Sequence, residues 1–268
     1  MPNLRMPVVA GQFYPADARA LRRDLERYVG VREPRPVLGG LCPHAGYMYS
    51  GATAGALFAA MDVPATVFLL GPKHQAGGAD YAVWAAGAWR TPLGLAPVDE
   101  EAAAALLAAC PLLVADQEAH RQEHSLEVIV PFVQYANPAA AIVPVAVAPL
   151  PPRELRALGE GLAAAVAPRR QRTLVVVSSD MTHYEAAASA ARKDELALER
   201  LRALDAEGLV AVVHEHRITM CGVWPAAAAL VAFRALGAAG GSVVKYTNSG
   251  ETSGDFHQVV GYAAVTFA

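Results

Sequence analysis

The sequence predicts an α/β fold: one domain with a central, largely parallel or mixed sheet flanked by helices. Three observations carry this. Short β-rich apolar runs alternate with alanine- and leucine-rich helical stretches along the 268 residues. The runs TVFLLG (66–71) and TLVVV (173–177) are apolar without alternation, as expected of strands covered on both faces. No repeat, low-complexity segment or linker divides the chain, and a hydrophobic content of 54% suffices for one large core, so residues 1–268 read as a single domain.

Taken in order, PVLGGLC gives a strand near 37–42 and SGATAGALFAAM a helix over 50–61. ATVFLLG (65–71) is a strand again, followed by the loop PKHQAGGAD. VDEEAAAALLAAC has an acidic first turn, which complements the helix dipole, and reads as a helix over 99–110. HSLEVIVPFVQYA opens as a helix, AAAIVPVAVA is a strand, and PPRELRALGEGLAAAVA is a helix with proline in its first turn. A strand over 173–179 precedes helices near 190–203 and 206–215 and the helical run GVWPAAAALVAFRAL. SVVKYTN and VVGYAAVTF close the chain as strands.

Composition narrows the function. A net charge of −3 without a clustered basic stretch argues against nucleic-acid binding. The N-terminal stretch MPNLRMPVVAGQFYPADARALRRD lacks the apolar core of a signal peptide. The uncharged run 128–152 is broken by Pro131, Pro138, Pro144 and Pro149, which argues against a membrane helix. Three cysteines make no disulfide framework, and a cytoplasmic location is expected.

The chemistry-bearing residues gather at strand ends. His44 follows the first strand in PHAGYMYSG, His74 the second in GPKHQAGG, and Asp180 and His183 a later one in SSDMTHY. Ligands of open α/β sheets bind at the carboxyl edge of the strands, so these four side chains are expected to line one cleft. Ser179 and Asp180 would alternatively cap a following helix. Cys221, in ITMCGVWP just before a helical run, sits where a helix N-terminus favours thiolate. Two histidines with a cysteine would suit iron(II), copper or zinc. His124, in QEHSLEV, is either an acid/base or a partner for buried backbone; Glu123 and Glu127 flank it at helical spacing. His120, His214 and His216 stand among charges and are expected at the surface, while Cys42 and Cys110 are expected in the core. Tyr47, Tyr49, Trp89, Tyr184 and Trp224 are candidates either for an apolar pocket lining or for packing.

The stretches AGQFYPAD, PHAGYMYSG, LLGPKHQ, WRTPLG, QEHSLEVIVPF, VVSSDMTHY, MCGVWP and YTNSGETSGDFHQVVGYAA, in this order over nearly the whole chain, resemble the Memo family in its prokaryotic branch, AmmeMemoRadiSam system protein B. That family is similar in fold to the class III extradiol dioxygenases, which are non-haem iron(II) enzymes using two histidines and a glutamate. Memo proteins carry a cysteine in place of the carboxylate. The resemblance implies His44, His74 and Cys221 as metal ligands, with iron(II) the first expectation and copper the second. It implies Asp180 and His183 as the Asp-x-x-His pair beside the metal, and His124 as the histidine of the EHS motif. The family often has paired histidines where this chain has His74 and Gln75. It also implies AMMECR1-like and radical SAM proteins as pathway partners.

Three functions follow as expectations. The first is a metal-dependent oxidoreductase, with His183 or His124 as acid/base and Asp180 orienting a neighbouring group. The second is an iron- or copper-binding or protein-interaction role without turnover. The third is a thiol hydrolase using Cys221 as nucleophile with His183 and Asp180 as base and orienter.

Overall fold

The strands follow the apolar runs, and the sheet they build decides which loops become neighbours. In the computed structural model, which describes residues 3–268, the strands are β1 (Leu4–Arg5), β2 (Gly39–Cys42), β3 (Thr66–Pro72), β4 (Tyr81–Val83), β5 (Ala88–Thr91), β6 (Gly94–Pro97), β7 (Val114–Ala115), β8 (Ala141–Val147), β9 (Thr173–Ser178), β10 (His183–Glu185), β11 (Gly241–Asn248) and β12 (Val259–Phe267). The helices are α1 (Ala18–Val29), α2 (Tyr47–Ala60), α3 (Glu100–Ala109), α4 (Glu118–Arg121), α5 (Val130–Ala136), α6 (Pro152–Val166), α7 (Ala187–Arg202), α8 (Ala206–Glu215), α9 (Val223–Ala235) and α10 (Gly250–Ser253).

The main sheet runs β10-β12-β2-β9-β3-β8-β4-β7, with β11 paired to the far side of β12. Its centre, β2-β9-β3-β8, is parallel. β4 runs antiparallel to β8, and β12 antiparallel to β2. The sheet is therefore mixed around a parallel core. A small second sheet, β1-β5-β6, lies apart. Side chains alternate across the central strands: Val175 and Val177 of β9 pack with Phe68 and Leu70 of β3 on one face. Leu174 and Val176 pack with Val67 and Leu69 on the other. These residues are 0–1% exposed, and each such burial is worth about 1.5–3 kcal/mol. Helices α3, α6, α7, α8 and α9 contribute to the first face, and α1, α2 and α5 to the second.

Several boundaries differ from the sequence pattern for tertiary reasons. Helix α2 begins at Tyr47, before Ser50, because the Tyr47 N–H, one of the amides a helix start leaves free, donates to the Phe13 carbonyl (2.7 Å). The segment HSLEVI forms turns, and α5 begins only at Val130, with Pro131 in its first turn. His183 lies on the short strand β10, paired with Val260. Helix α1 falls in a stretch given no element from sequence, although Leu21, Leu25 and Val29 recur there every four residues and are buried. Among the described residues no helix is long and apolar enough to cross a membrane.

His120, expected at the surface, is fully buried instead. It packs edge-on against Trp84 and Trp89, and its Nε2 donates to the Ala82 carbonyl (3.2 Å). Charged neighbours in sequence misled because helix α4 turns this side chain inward while Glu118 and Arg121 pair outside it. His214 and His216 are exposed, and Cys42 and Cys110 are buried, as expected. Trp89 packs in the core, 1% exposed, with its ring covered by the Arg5 guanidinium at 4.3 Å.

Candidate metal centre

Because β2, β9 and β3 are adjacent and parallel, the loops leaving them emerge side by side. In each loop the key residue stands two positions beyond the strand's last residue: His44 after Cys42, Asp180 after Ser178, His74 after Pro72. Cys221 is added from the turn before α9, whose Gly222 packs directly on the end of β9. One ligand atom each from His44, His74 and Cys221 lies within 4.8 Å of the others. His124 joins them, its ring stacked on His74 at 5.2 Å and edge-on to His44 at 5.6 Å.

Hydrogen bonds assign the tautomers. His44, 3% exposed, has Nδ1 at 2.7 Å from Ser178 Oγ. The single proton of that hydroxyl is committed to the Ser125 carbonyl (2.7 Å). Ser178 must therefore accept from His44, so Nδ1 carries the proton and Nε2 keeps its lone pair. That Nε2 lies 3.4 Å from Cys221 Sγ, close to the ~3.5 Å that separates nitrogen and sulfur ligands on bonds of about 2.0–2.3 Å. His74 donates its backbone N–H to Glu123 Oε2 (2.5 Å) and its ring Nδ1–H to Glu123 Oε1 (2.9 Å). Its free nitrogen is also Nε2. His183 donates Nδ1–H to the Thr219 carbonyl (2.9 Å) and its backbone N–H to Thr219 Oγ1 (2.7 Å). Three histidines on three elements thus keep the same nitrogen available.

Asp180 does not cap a helix. Its carboxylate accepts the His44 backbone N–H (2.8 Å), and its own N–H donates to Cys221 Sγ (3.2 Å). It ties one candidate ligand's backbone to the other's side chain. Ser179 Oγ accepts from Gly222 N–H (2.9 Å) and donates to the Asp180 carbonyl (2.7 Å), closing the turn. Next to His183, Tyr184 has φ +58° and is 74% exposed. This left-handed backbone falls where the β10–β12 register shifts, between His183 and Glu185.

Electrostatics follow from burial and from neighbours. Burial, then the other two imidazoles, hold His44 well below its ordinary pKa, so it is neutral. Burial also lowers His124. For His74 burial pulls down, but the hydrogen bond and charge of Glu123 outweigh it and the net shift is upward. Glu123 is pushed up by burial, yet the His74 contacts and the Ser125 N–H bring it down to about 2. Burial raises Asp180 to about 6 against the His44 amide bond. Cys221 was expected as a thiolate at a helix N-terminus; burial and the Asp180 charge instead raise its pKa. Metal binding to such a thiol would displace its proton.

The donor set fits a metal. The Nε2 atoms of two imidazoles and one sulfur converge, the Nδ1 protons of His44 and His74 are bonded elsewhere, and sulfur with imidazole suits iron, copper or zinc. The second nearby cluster, His74, Glu123 and His124, is better described as a carboxylate serving N–H donors, since Glu123 accepts from His74 twice and from Ser125 (2.9 Å). A hydrolytic triad does not form here, because His183 bonds Thr219 and not Asp180. From sequence Glu123 is notable only for its spacing to Glu127, and Ser178 and Thr219 have no assigned role. Glu123 and Ser178 stand beside His124 and Ser179–Asp180 in their motifs, whereas Thr219 left no local signal. Of the aromatic candidates, Tyr47 is a core residue donating to the Val128 carbonyl (2.8 Å), and Trp224 lines a separate surface cavity with Val210.

Comparisons with known proteins agree with this arrangement. Residues 5–266 match the model of the family described as Memo-like protein. A MEMO1 family protein of Methanopyrus kandleri is 41% identical, with 98% of each chain covered. MEMO1 family proteins of Aquifex aeolicus (38%, 99% of each chain) and Methanothermobacter thermautotrophicus (36%, 97% of this chain and 99% of the relative) are similar over the same span. With a mixed α/β sheet whose strand ends gather these side chains, the chain belongs to the Memo-like protein family.

Proposed function

We propose that the protein is a metal-dependent oxidoreductase resembling a non-haem iron(II) dioxygenase, acting on a small substrate. The observation that carries this reading is the convergence of His44, His74 and Cys221, with the Nδ1 proton of each imidazole bonded away from the cluster. Iron(II) held by these three residues would supply an electron donor for O₂ and open positions beside it for substrate. The remaining groups have roles set by their bonds. His183, half-buried with an unbonded Nε2, takes or returns a substrate proton. His124, neutral and stacked on His74, borders the same space and is the second acid/base candidate. Asp180 holds the His44 loop and the Cys221 sulfur in register. The family resemblance adds AMMECR1-like and radical SAM proteins as partners in a reaction sequence.

A second reading, reversible iron or copper binding without turnover, is favoured by one feature. Cys221 is a sulfur donor, and copper(I) prefers such donors over the carboxylates of oxygen-activating sites.

The test is metal content after anaerobic loading with iron(II) or copper(I), comparing the native protein with Cys221→Ser. About one metal per chain, with affinity lowered at least tenfold in the variant, is expected. Equal binding in both proteins would remove Cys221 from the site, and no binding in either would overturn both readings. Oxygen uptake by the iron(II) form with small-molecule substrates then separates turnover from storage.

A further inference from the structure

Glu123 is 1% exposed, and its carboxylate bonds His74 and its own turn, with the His124 ring Nδ1 farther off at 3.6 Å from Oε1. Oε2 accepts the His74 backbone N–H, and Oε1 accepts the His74 ring Nδ1–H and the Ser125 N–H. Its backbone carbonyl is itself fixed by Arg5 Nη2 (2.6 Å). The residue is thus anchored at one end and bidentate at the other. A carboxylate can only accept, so the ring nitrogen facing it must bear the proton. Gripping backbone and ring together also fixes the plane of the imidazole, which a single bond would leave free to rotate.

The two imidazole ligands are oriented by different devices. His44 faces a neutral hydroxyl, whose proton is spent on a carbonyl. His74 faces an anion. A carboxylate behind an imidazole makes the opposite nitrogen a stronger donor than a hydroxyl does. We propose that Glu123 is the positioning residue of His74: it fixes the Nδ1–H tautomer and the ring plane, and so makes His74 the stronger nitrogen donor of the site. The consequence for metal affinity rests on the function proposed above; the tautomer does not.

The experiment reads the two separately. Imidazole ¹⁵N NMR on the full chain, recorded above the histidine titrations, is compared between native protein and Glu123→Gln, followed by titration with cobalt(II) as a thiolate-sensitive optical probe. The native protein is expected to show His74 protonated on Nδ1. In E123Q, His74 is expected to gain the Nε2–H form while His44 stays unchanged, and cobalt(II) affinity to fall about 10–100-fold with the Cys221 charge-transfer band retained. A native His74 protonated on Nε2 overturns the proposal, and that measurement needs no variant to fold. An E123Q spectrum still showing only Nδ1–H overturns it as well. If the tautomer changes but the native protein binds no cobalt, the positioning role holds and the metal reading fails.

Discussion

At the scale of single residues, His120 shows burial deciding charge. Enclosed by Trp84 and Trp89, with the Arg5 cation nearby, it is lowered from 6.5 to about 4, first by burial and then by that charge. Nδ1 is without a partner while Nε2 donates to Ala82, an arrangement suited only to the neutral ring. An unfolded chain protonates this histidine near pH 6.5 and the folded one only near pH 4, so the unfolded state binds more protons between them. Stability is therefore lost as pH falls through that window, by about 3 kcal/mol from this residue. His120→Gln keeps a donor for Ala82 but cannot ionise. Urea unfolding at pH 7 and pH 4 should show the native protein losing about 3 kcal/mol more than H120Q; equal losses would contradict the assignment.

At the scale of elements, the site depends on how closely the Cys221 turn approaches β9. A Cβ on Gly222 would overlap the Ser178 carbonyl oxygen and lie 2.5 Å from Ser179 Cβ. Both are held in the sheet edge and cannot move as a flexible side chain would. Gly222→Ala is thus expected to push the turn outward and move Sγ away from His44 Nε2. We expect a stability loss of about 1–3 kcal/mol and weakened metal binding, measured by thermal unfolding and by metal titration of the same sample. Gly71 is less restrictive: its Cβ would meet Leu126 Cδ2 at 2.6 Å and Ser125 Oγ at 2.9 Å, both of them side-chain atoms. Most strands and long helices were legible from apolar periodicity. The short pieces β1, β4, β5, β7 and β10 were not, because two to four residues carry no period and exist only through their partners.

At the scale of the whole molecule, the N-terminal segment locks the site from behind. Arg5, 2% exposed, pairs with Glu127 (2.7 Å) and donates Nε to the His120 carbonyl (2.7 Å) and Nη2 to that of Glu123. Glu127 also accepts from Val8 and Val9 N–H and from Tyr14 Oη (2.7 Å). Every partner of Glu127 is a donor, so Glu127→Gln sets an amide NH₂ against donors and strands a buried guanidinium. The expected cost is about 3–5 kcal/mol, measured by urea unfolding. A cost below about 1 kcal/mol would show that Arg5 is stabilised elsewhere. Since Phe13 packs on His124 (5.0 Å) and its carbonyl accepts from Tyr47, the segment also joins the His44 and His124 loops.

The sequence by itself determined the α/β class, the order of the main strands and the strand-end placement of His44, His74, Asp180 and His183, because apolar period and strand-tip polarity are local properties of the chain. Its ordered motifs were enough for the family. Only the tertiary structure decided that β9 inserts between β2 and β3 and so makes those tips neighbours. It also decided that Glu123 serves His74, that Thr219 turns His183, and that His120 is buried. Each of these is a contact between residues 36 to 134 positions apart or a matter of which way a short helix faces, and neither periodicity nor spacing encodes a hydrogen bond between distant loops.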